Sequence, residues 1–348
     1  MVLVRKDTAA FEKVDQLTEE GLTNAMIRLT KGEKKKIYFT KGHGEPAIDG
    51  QVTDKAGLSA LGQELQSYNY QALPLELFSS PAGVPADCSL LVIAGAQIDL
   101  FDAEVNFVKQ YLAHGGKILV FYPAFTNTPK LAALLKAYGV TVHNDVVIDK
   151  MGRMFGGDEL MPIISAYEQH EITKTFRVAT FFPVCRTFDL KPGTSGVTLA
   201  ALAKTNPGAF GETDLTGVKK GVASFDAKTD YASPLTVAAV IDADNSVFKA
   251  EAGGTTNSSR AKIALLGSVE MADNGYLNAS GNKDFVLNTV NYLAEQGDLI
   301  SIRPKSNSFE PIFLSKITGR LLFIIPVIFM PLLVIAIGVL VFVRRKIS

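Results

Sequence analysis

The sequence predicts an α/β fold: a doubly wound, mostly parallel sheet, followed by a C-terminal transmembrane helix. Three observations lead to this prediction. Strand-like and helix-like segments alternate between residues 37 and 148, which is typical of a sheet with helices on both faces. Continuous apolar runs such as "SLLVIAGA" at 89–96 indicate strands covered on both sides. An uncharged apolar run at 321–343 is long enough to cross a bilayer.

The elements of the first half follow from the spacing of their apolar residues. Helical segments place such residues three or four positions apart, as Leu58, Leu61 and Leu65 do. Thr128 and Pro129 suit the cap and first turn of a helix. The predicted order is helix 17–30, strand 37–40, helix 54–68, strands 71–78 and 89–96, helix 102–113, strand 117–123, helix 129–138 and strand 140–148.

Between residues 150 and 260 strand-like segments dominate and few helices are expected. We interpret this region as a β-rich insertion or appendage, with polar, glycine-rich loops at 207–215 and 251–260. A buried strand after residue 260 and a helix at 284–295 are expected to return to the first sheet. The predicted domains are an N-terminal segment with a helix (1–33), an α/β domain (34–300) containing the insertion (150–260), a juxtamembrane linker (301–320), a transmembrane helix (321–343) and a basic tail (344–348).

The composition argues against a nucleic-acid-binding protein. Thirty-five basic residues balance thirty-five acidic ones, whereas such proteins carry a basic excess or stripe. The two cysteines, Cys88 and Cys185, form no CxxC motif, and we expect small buried residues. A disulfide between them in an oxidising compartment is also compatible with the sequence. No Walker A motif occurs, and we predict neither a cofactor nor a metal.

The segment Leu321–Val343 contains 23 residues without a charge. At about 1.5 Å per residue it spans roughly 34 Å, and the hydrocarbon core of a bilayer is about 30 Å thick. Pro326 and Pro331 would kink a soluble helix, but transmembrane helices tolerate them. We therefore predict that the chain contacts the lipid bilayer through residues 321–343.

The charges that flank this span predict its orientation. Three basic residues at 344–346 follow it, and a weaker cluster, Lys316 and Arg320, precedes it. The positive-inside rule then favours a cytoplasmic C-terminus, with the soluble domain periplasmic or extracellular and the protein in the cytoplasmic membrane. The N-terminus lacks the apolar region of a secretory signal. Either the first residues of a longer protein are absent, or the chain inserts as a tail-anchored protein.

The loop "TKGHGEP" after the first strand carries His43 and Glu45 between glycines. It would lie at the carboxyl edge of the sheet, where open α/β sheets bind ligands. The histidine could act as a general base or metal ligand, with the glutamate as its partner. Because the HxE pattern is unspecific, a structural turn is the favoured interpretation, and a ligand-contacting site stays open. Gln97, in the loop after the central strand, is the third predicted ligand-binding residue.

Other candidate residues favour structural interpretations. No GxSxG motif occurs, and the loop after the central strand, Ala94 to Gln97, contains no nucleophile. We expect Ser268 to cap a turn after a late strand and His114 to lie near a helix C-terminus. Asp242, Asp244 and Asn245 are interpreted as a solvated turn, because the glycine and closing glutamate of an EF-hand are missing. We predict no catalytic residue.

Several passages, in the same order along the chain, resemble the GldG-type proteins, the auxiliary proteins of ABC-type uncharacterised transport systems that include gliding-motility ABC-transporter accessories. These passages are "LTEEGLTNAMIRLTKGEKKKIYFTKGHGEP", "VKQYLAHGGKILVFYPA", "GNKDFVLNTVNYLAEQGDLISIRPK" and the proline-containing terminal span. The resemblance extends from about residue 15 to the end. It implies a membrane-anchored, extracytoplasmic, non-enzymatic subunit with separate permease and ATPase partners. It also implies a class I glutamine-amidotransferase-like sheet without the catalytic cysteine.

Two departures from the family pattern qualify this resemblance. Family members usually begin with a transmembrane helix, so we expect this chain to lack that N-terminal part. The family's Gly-Asp-Ser loop after the late strand is here Gly267-Ser268-Val269-Glu270, which argues against a ligand role for that acid. Two other functions stay open: an extracytoplasmic carbohydrate- or peptide-binding module at His43 and Glu45, and a hydrolase that uses the same two residues.

Overall fold

The computed structural model describes residues 2–5, 11–14, 34–152, 158–193, 195–244, 260–295, 324–332, 335, 337–339 and 342. The chain divides into two compact units, Met1–Ser308 and Phe309–Ser348. The predicted helix at 17–30, the linker at 301–320, the basic tail and all but the last residue of the loop at 251–260 lie outside the described residues. The boundaries proposed for the domains remain predictions.

The described strands of the first unit are β1 (Val2–Arg5), β2 (Phe11–Val14), β3 (Lys35–Thr40), β4 (Tyr70–Leu75), β5 (Cys88–Ala94), β6 (Lys117–Phe121), β7 (Val140–Val142), β8 (Val146–Ile148), β9 (Ile163–Ile164), β10 (Thr180–Phe181), β11 (Phe188–Leu190), β12 (Val197–Lys204), β13 (Phe210–Glu212), β14 (Tyr231–Ala232), β15 (Thr236–Ala243) and β16 (Ala261–Leu266). Its described α-helices are α1 (Ser59–Ser67), α2 (Asp102–Ala113), α3 (Pro129–Ala137), α4 (Leu215–Lys219) and α5 (Asn282–Leu293).

The main sheet has a parallel half and an antiparallel half. Its order among the described strands is β4-β3-β5-β6-β16-β15-β11-β7, with β12 also paired to β15. The five strands from β4 to β16 are parallel, and the rest pair antiparallel. The α/β prediction is confirmed. As expected, β16 returns to the first sheet, where it pairs with β6.

Helices cover the parallel strands on both faces. Along β5, Leu90, Val92 and Ala94 pack with residues of α1 and α5, and Leu91 and Ile93 pack with residues of α2 and α3. Successive side chains of a strand point to opposite faces, so a strand between two layers of helices must be apolar throughout. Burial of β5 on both faces therefore accounts for the continuous apolar run at 89–96, as expected.

The helix predicted at 54–68 begins later, at Ser59, because a side chain distant in sequence forms hydrogen bonds with the backbone at the predicted first turn. The Asn274 side chain accepts the Ala60 N–H at 2.7 Å and donates to the Asp54 carbonyl at 2.6 Å. These contacts hold residues 54–57 as a turn that precedes α1. Asn274 lies more than 200 residues away in sequence, so no local pattern could show this boundary.

The predicted strand at 140–148 is wrong, because it is two strands in different sheets. The buried Asp145 separates them, and its carboxylate accepts the Thr187 N–H at 3.1 Å and the Thr187 hydroxyl at 2.6 Å. β7 pairs with β11 in the main sheet, and β8 pairs with β13 in a three-stranded sheet. The predicted loop at 207–215 contains β13 and the first residue of α4, so that prediction is also wrong.

The described part of the second unit contains a π-helical turn, Ile325–Phe329, with helical residues around it. Its large apolar side chains, from Ile324 to Phe342, are between 43 % and 68 % exposed where they are described. Among the residues that the structure describes, no helix has both the length and the hydropathy that crossing a bilayer requires. The predicted span 321–343 is described only in part.

Tyr70, on the edge strand β4, connects that strand to α5. Its hydroxyl donates to Oδ1 of Asn291 at 2.8 Å, and both residues are buried. We expect Tyr70→Phe to lower the free energy of unfolding by about 1–2 kcal/mol, because it leaves a buried acceptor unpaired. Urea denaturation of the purified chain measures this loss. The half-exposed Tyr276 provides the control, and Tyr276→Phe should change stability by less than about 0.5 kcal/mol. Equal effects of the two substitutions would contradict the assignment.

Candidate functional site

The strand order reverses between β3 and β5, at the centre of the parallel half. From β3 the chain passes to β4 on one side, and from β5 it passes to β6 on the other. In open α/β sheets such a reversal leaves a crevice at the carboxyl ends of the strands, and ligands bind there. The two loops that meet at this point are residues 41–47 and residues 95–101. They contain all three residues that the sequence singled out.

The chain's own backbone bridges this crevice. The carbonyl oxygen of His43 accepts the N–H of Gln97 at 2.8 Å and the N–H of Ile98 at 3.1 Å. Gly44 follows with a φ of +83°, and a Cβ there would lie 3.0 Å from Cβ of Gln97. The glycine is needed both for its backbone conformation and for the close approach of the two loops.

The His43 side chain lies between two carboxylates and is 5 % exposed. Its Nε2 is 2.9 Å from Oε2 of Glu104, and its Nδ1 is 3.7 Å from Oε1 of Glu45. Neither ring nitrogen makes a well-aligned hydrogen bond to another described residue. The edge of the ring meets Phe101 at 5.7 Å between centroids.

Both carboxylates also hold local backbone in place. Glu45 accepts the Thr40 hydroxyl at 2.9 Å and the His43 N–H at 2.6 Å. Glu104 accepts the Phe101 N–H at 2.8 Å, at the start of α2. Each carboxylate side chain is 1 % exposed. The predicted His43–Glu45 neighbourhood is present, and Glu104 is a partner that the sequence reasoning missed. The sequence signal that could have indicated a role for Glu104 is an acidic residue in the first turn of a predicted helix.

Gln97 is the one exposed residue of the predicted trio His43, Glu45 and Gln97. Its side-chain Nε2 donates to the Gly95 carbonyl at 3.0 Å. The next residue, Ile98, is 65 % exposed. Phe78 is 71 % exposed, and its ring centroid lies 5.4 Å from that of Phe101. Exposed apolar side chains therefore cover part of this edge, while His43 and the carboxylates of Glu45 and Glu104 lie beneath the surface.

A small cavity opens on the other side of the His43 loop. It has a volume of about 260 Å³, and its lining includes Thr40, Lys41, Glu45, Asp49 and Pro74. Lys41 forms an ion pair with Glu76 at 3.3 Å, so its charge is partly neutralised within the chain. The cavity is large enough for a small polar molecule.

The loop after β16 contains a further acid, the partly buried Glu270. Ser268 donates to the Pro183 carbonyl at 2.5 Å and accepts the Met271 N–H at 3.3 Å, in agreement with the predicted capping role. Burial raises the pKa of Glu270 to about 7, and a contact with Ser268 Oγ at 3.3 Å opposes this rise only in part. Glu270 is the acid of the loop Gly267-Ser268-Val269-Glu270. Because this loop differs from the family's Gly-Asp-Ser, the sequence argued against a ligand role for Glu270.

The remaining candidates are dispersed. Cys88 and Cys185 are free thiols, and burial raises the pKa of Cys185 well above its ordinary value. Asp242 pairs with Arg260 at 2.6 Å, His114 Nδ1 lies 2.7 Å from the Gln110 carbonyl, and Asn245 is outside the described residues. Within the described part of the chain no group of three or more His, Cys, Asp or Glu residues could hold a metal ion.

The role of Gly44 can be tested by adding one methyl group. We expect Gly44→Ala to lower the free energy of unfolding by about 1–2 kcal/mol, because a left-handed φ is costly for alanine and its Cβ would press on Gln97. The matched control is Gly50→Ala, later in the connection between β3 and α1, where the added Cβ meets Ala47 at an ordinary 3.5 Å. Thermal and urea denaturation measure both variants. If the two alanines cost the same, the close approach at Gly44 is unimportant.

Glu270 should make stability depend on pH. In the folded state its pKa is raised, so between about pH 4.5 and 7 the folded protein holds a proton that the unfolded chain has released. Wild-type stability relative to Glu270→Gln should therefore fall by about 2 kcal/mol as the pH rises from 5 to 8. Urea denaturation at both pH values measures this change, with Glu76→Gln as the exposed control. A parallel pH dependence in wild type and Glu270→Gln would refute the prediction.

Solved structures are similar to this chain at low sequence identity. The N-terminal domain of mmIFT52 matches over 74 % of this chain and 97 % of that chain, at 19 % identity and a TM-score of 0.52. A cytoplasmic protein from Salmonella typhimurium LT2 matches over 74 % and 99 %, at 12 % identity and a TM-score of 0.46. A glutamine amidotransferase from Thermotoga maritima matches over 75 % and 98 %, at 10 % identity and a TM-score of 0.37. The first likeness shows a shared fold alone, and the two weaker ones carry no argument.

No curated protein matches the chain. The family model described as ABC-type uncharacterized transport system matches residues 34–289. This match covers the parallel half of the sheet, the antiparallel half and most of α5. It is also the family to which the sequence passages pointed. The chain therefore belongs to the family of ABC-type uncharacterized transport system auxiliary proteins.

Proposed function

We propose that the protein is a non-enzymatic accessory subunit of an ABC transporter that works beside separate permease and ATPase subunits. The family match over residues 34–289 carries this proposal. It includes nearly all of the described α/β unit. The sequence contains no P-loop, so nucleotide hydrolysis would belong to another subunit.

The geometry of the carboxyl edge supports a non-enzymatic role. The amides of Gln97 and Ile98, which could hold an anionic ligand at the crevice, are bonded to the carbonyl of His43. The His43 ring is buried under Phe101, and the loop after β5 offers Gly95, Ala96 and Gln97 in place of a nucleophile. A substrate would have to displace this loop before it could meet either carboxylate.

Residues 321–343 act, in this proposal, as a single-pass anchor in the cytoplasmic membrane. Every large apolar side chain that is described from Ile324 to Phe342 is at least 43 % exposed, which is the surface that lipid or another subunit would cover. The basic residues at 344–346, against the weaker cluster of Lys316 and Arg320, favour a cytoplasmic C-terminus by the positive-inside rule. The α/β unit then lies outside the cytoplasm, and the class I glutamine-amidotransferase-like character rests on the sequence resemblance.

A binding module for a carbohydrate or peptide is the second candidate. The cavity of about 260 Å³ beside Glu45 favours it, since Thr40, Lys41 and Asp49 provide donors and acceptors at its wall. The hydrolase alternative has less support, because the carboxylates of Glu45 and Glu104 are 1 % exposed and hold backbone amides.

Co-purification tests the accessory role. The full-length chain, tagged and co-expressed with the ABC permease and ATPase of its own genome, should bring down both subunits in a mild detergent. An unrelated tagged single-pass protein expressed in the same way controls for trapping in micelles. Recovery of neither subunit above this control would sink the proposal.

Charges placed in the anchor test its insertion. We expect the wild-type chain to stay with membranes during alkaline carbonate extraction. The variant Met330→Arg with Ile335→Arg should be largely released, because each arginine at the centre of a span costs about 2.5–3.5 kcal/mol. Met330→Leu with Ile335→Leu is the matched control and should remain bound. Equal retention of the arginine and leucine variants would contradict anchoring by this segment.

A further inference from the structure

We propose that the groove between the edge strand β4 and helix α1 binds an extended peptide segment of another protein, which joins the main sheet as an additional strand. The groove is called the β4 groove here and is lined by Lys34, Asp49, Gln63, Gln66, Gln71 and Ala72, among others. It is separate from the bridged crevice at Gln97. The proposal does not depend on the transporter role.

One side of β4 carries unpaired backbone groups. Among the described strands β4 lies at the end of the main sheet and pairs with β3 alone. The Lys41 N–H donates to the Leu75 carbonyl at 3.0 Å, so the backbone groups of Leu75 face β3. Because these groups alternate along a strand, those of Tyr70 and Ala72 point away from the sheet. Tyr70 is fully buried, so the outward groups that are accessible at the wall of the β4 groove are the N–H and C=O of the half-buried Ala72.

Proline limits how far a partner strand can extend. Pro74 occupies the next outward-facing position and has no N–H to donate. Proline on an edge strand is a common device against pairing between whole sheets. Because Tyr70 is fully buried, residues 72–74 remain available, which is roughly 10 Å of strand. This length suits a short extended peptide better than the edge of a second copy of this sheet.

The side chains of the β4 groove also suit a peptide. Gln63 and Gln66 come from α1 and Gln71 from β4, on the walls of a cavity of about 440 Å³. None of these three amides makes a side-chain hydrogen bond to another residue of the described chain. A glutamine amide donates and accepts as a peptide group does, so three of them can pair with an added backbone.

Other ligand classes fit the groove less well. Tyr70 is the one aromatic residue in the lining, and its ring is buried with its hydroxyl bonded to Asn291, so it cannot stack on a sugar. The polar lining does not suit an acyl chain. The free N–H and C=O groups at strand spacing are complementary to another main chain, and strand addition is an established mode of peptide recognition.

The test uses the purified full-length protein in mild detergent and a positional-scanning library of acetylated, amidated octapeptides. Selected peptides are labelled with fluorescein, and fluorescence anisotropy gives their Kd. Ala72→Pro removes the outward-facing N–H of residue 72, just as the native Pro74 lacks one two residues later. We expect it to raise Kd at least tenfold, and the double variant Gln63→Ala with Gln66→Ala to do the same without touching the backbone. Gln110→Ala, an exposed glutamine on α2, is the matched control and should leave Kd unchanged.

A second readout distinguishes strand addition from other binding. N-methylation at successive peptide positions should abolish binding at alternate positions only. The Ala72 amide should exchange rapidly with solvent in the free protein and slowly with peptide bound. The proposal is overturned if no peptide binds or if binding is insensitive to both groove variants. It is also overturned if the free Ala72 amide is already protected, or if wild type forms a dimer that Ala72→Pro dissociates. None of these outcomes bears on recovery of the permease and ATPase.

Discussion

The carbonyl oxygen of His43 accepts two backbone N–H groups across the point where the sheet reverses its strand order, and the carboxyl edge is arranged around this contact. It draws the loop after β3 onto the loop after β5 and requires glycine at position 44. It also buries the His43 ring against Glu45 and Glu104. An α/β sheet of this kind usually opens a ligand crevice at this position, and here the chain's own backbone occupies it.

This contact explains why the same residues suggest two different functions. In sequence, a histidine and a glutamate between glycines resemble a catalytic loop. In the structure, the glycines allow the backbone to turn, and the carboxylates accept N–H groups of His43 and Phe101. The outer surface is left to the exposed side chains of Phe78, Ile98 and Gln97. The contacts at this loop are those of a structural turn.

The predictable parts of the fold are those whose cause is local. The helix at 102–113 was predicted with its observed bounds, because an acidic first turn and a closing glycine pair mark both ends. The apolar strands β5, β6 and β16 were recognisable because burial on both faces leaves an uninterrupted apolar run. At the site, the neighbourhood of His43, Glu45 and Gln97 followed from the rule that loops after parallel strands share one edge.

The parts that could not be predicted depend on distant partners. Asn274 sets the start of α1, and Asp145 with Thr187 divides one apolar run into β7 and β8. Glu104 joins His43 only because the strand order places the start of α2 beside the first loop. The strand character of residues 210–212 comes from pairing with β8 rather than from their glycine-rich sequence.

Amide hydrogen exchange at Gln97 and Ile98 tests most directly whether the crevice is closed by the chain itself. If the His43 carbonyl holds both N–H groups, these two amides in the full-length protein should exchange as slowly as the strand amides of β5. The exposed side chains of both residues make this a demanding prediction. Exchange of either amide at the rate of an open loop would contradict a closed carboxyl edge and return the crevice to consideration as a ligand site.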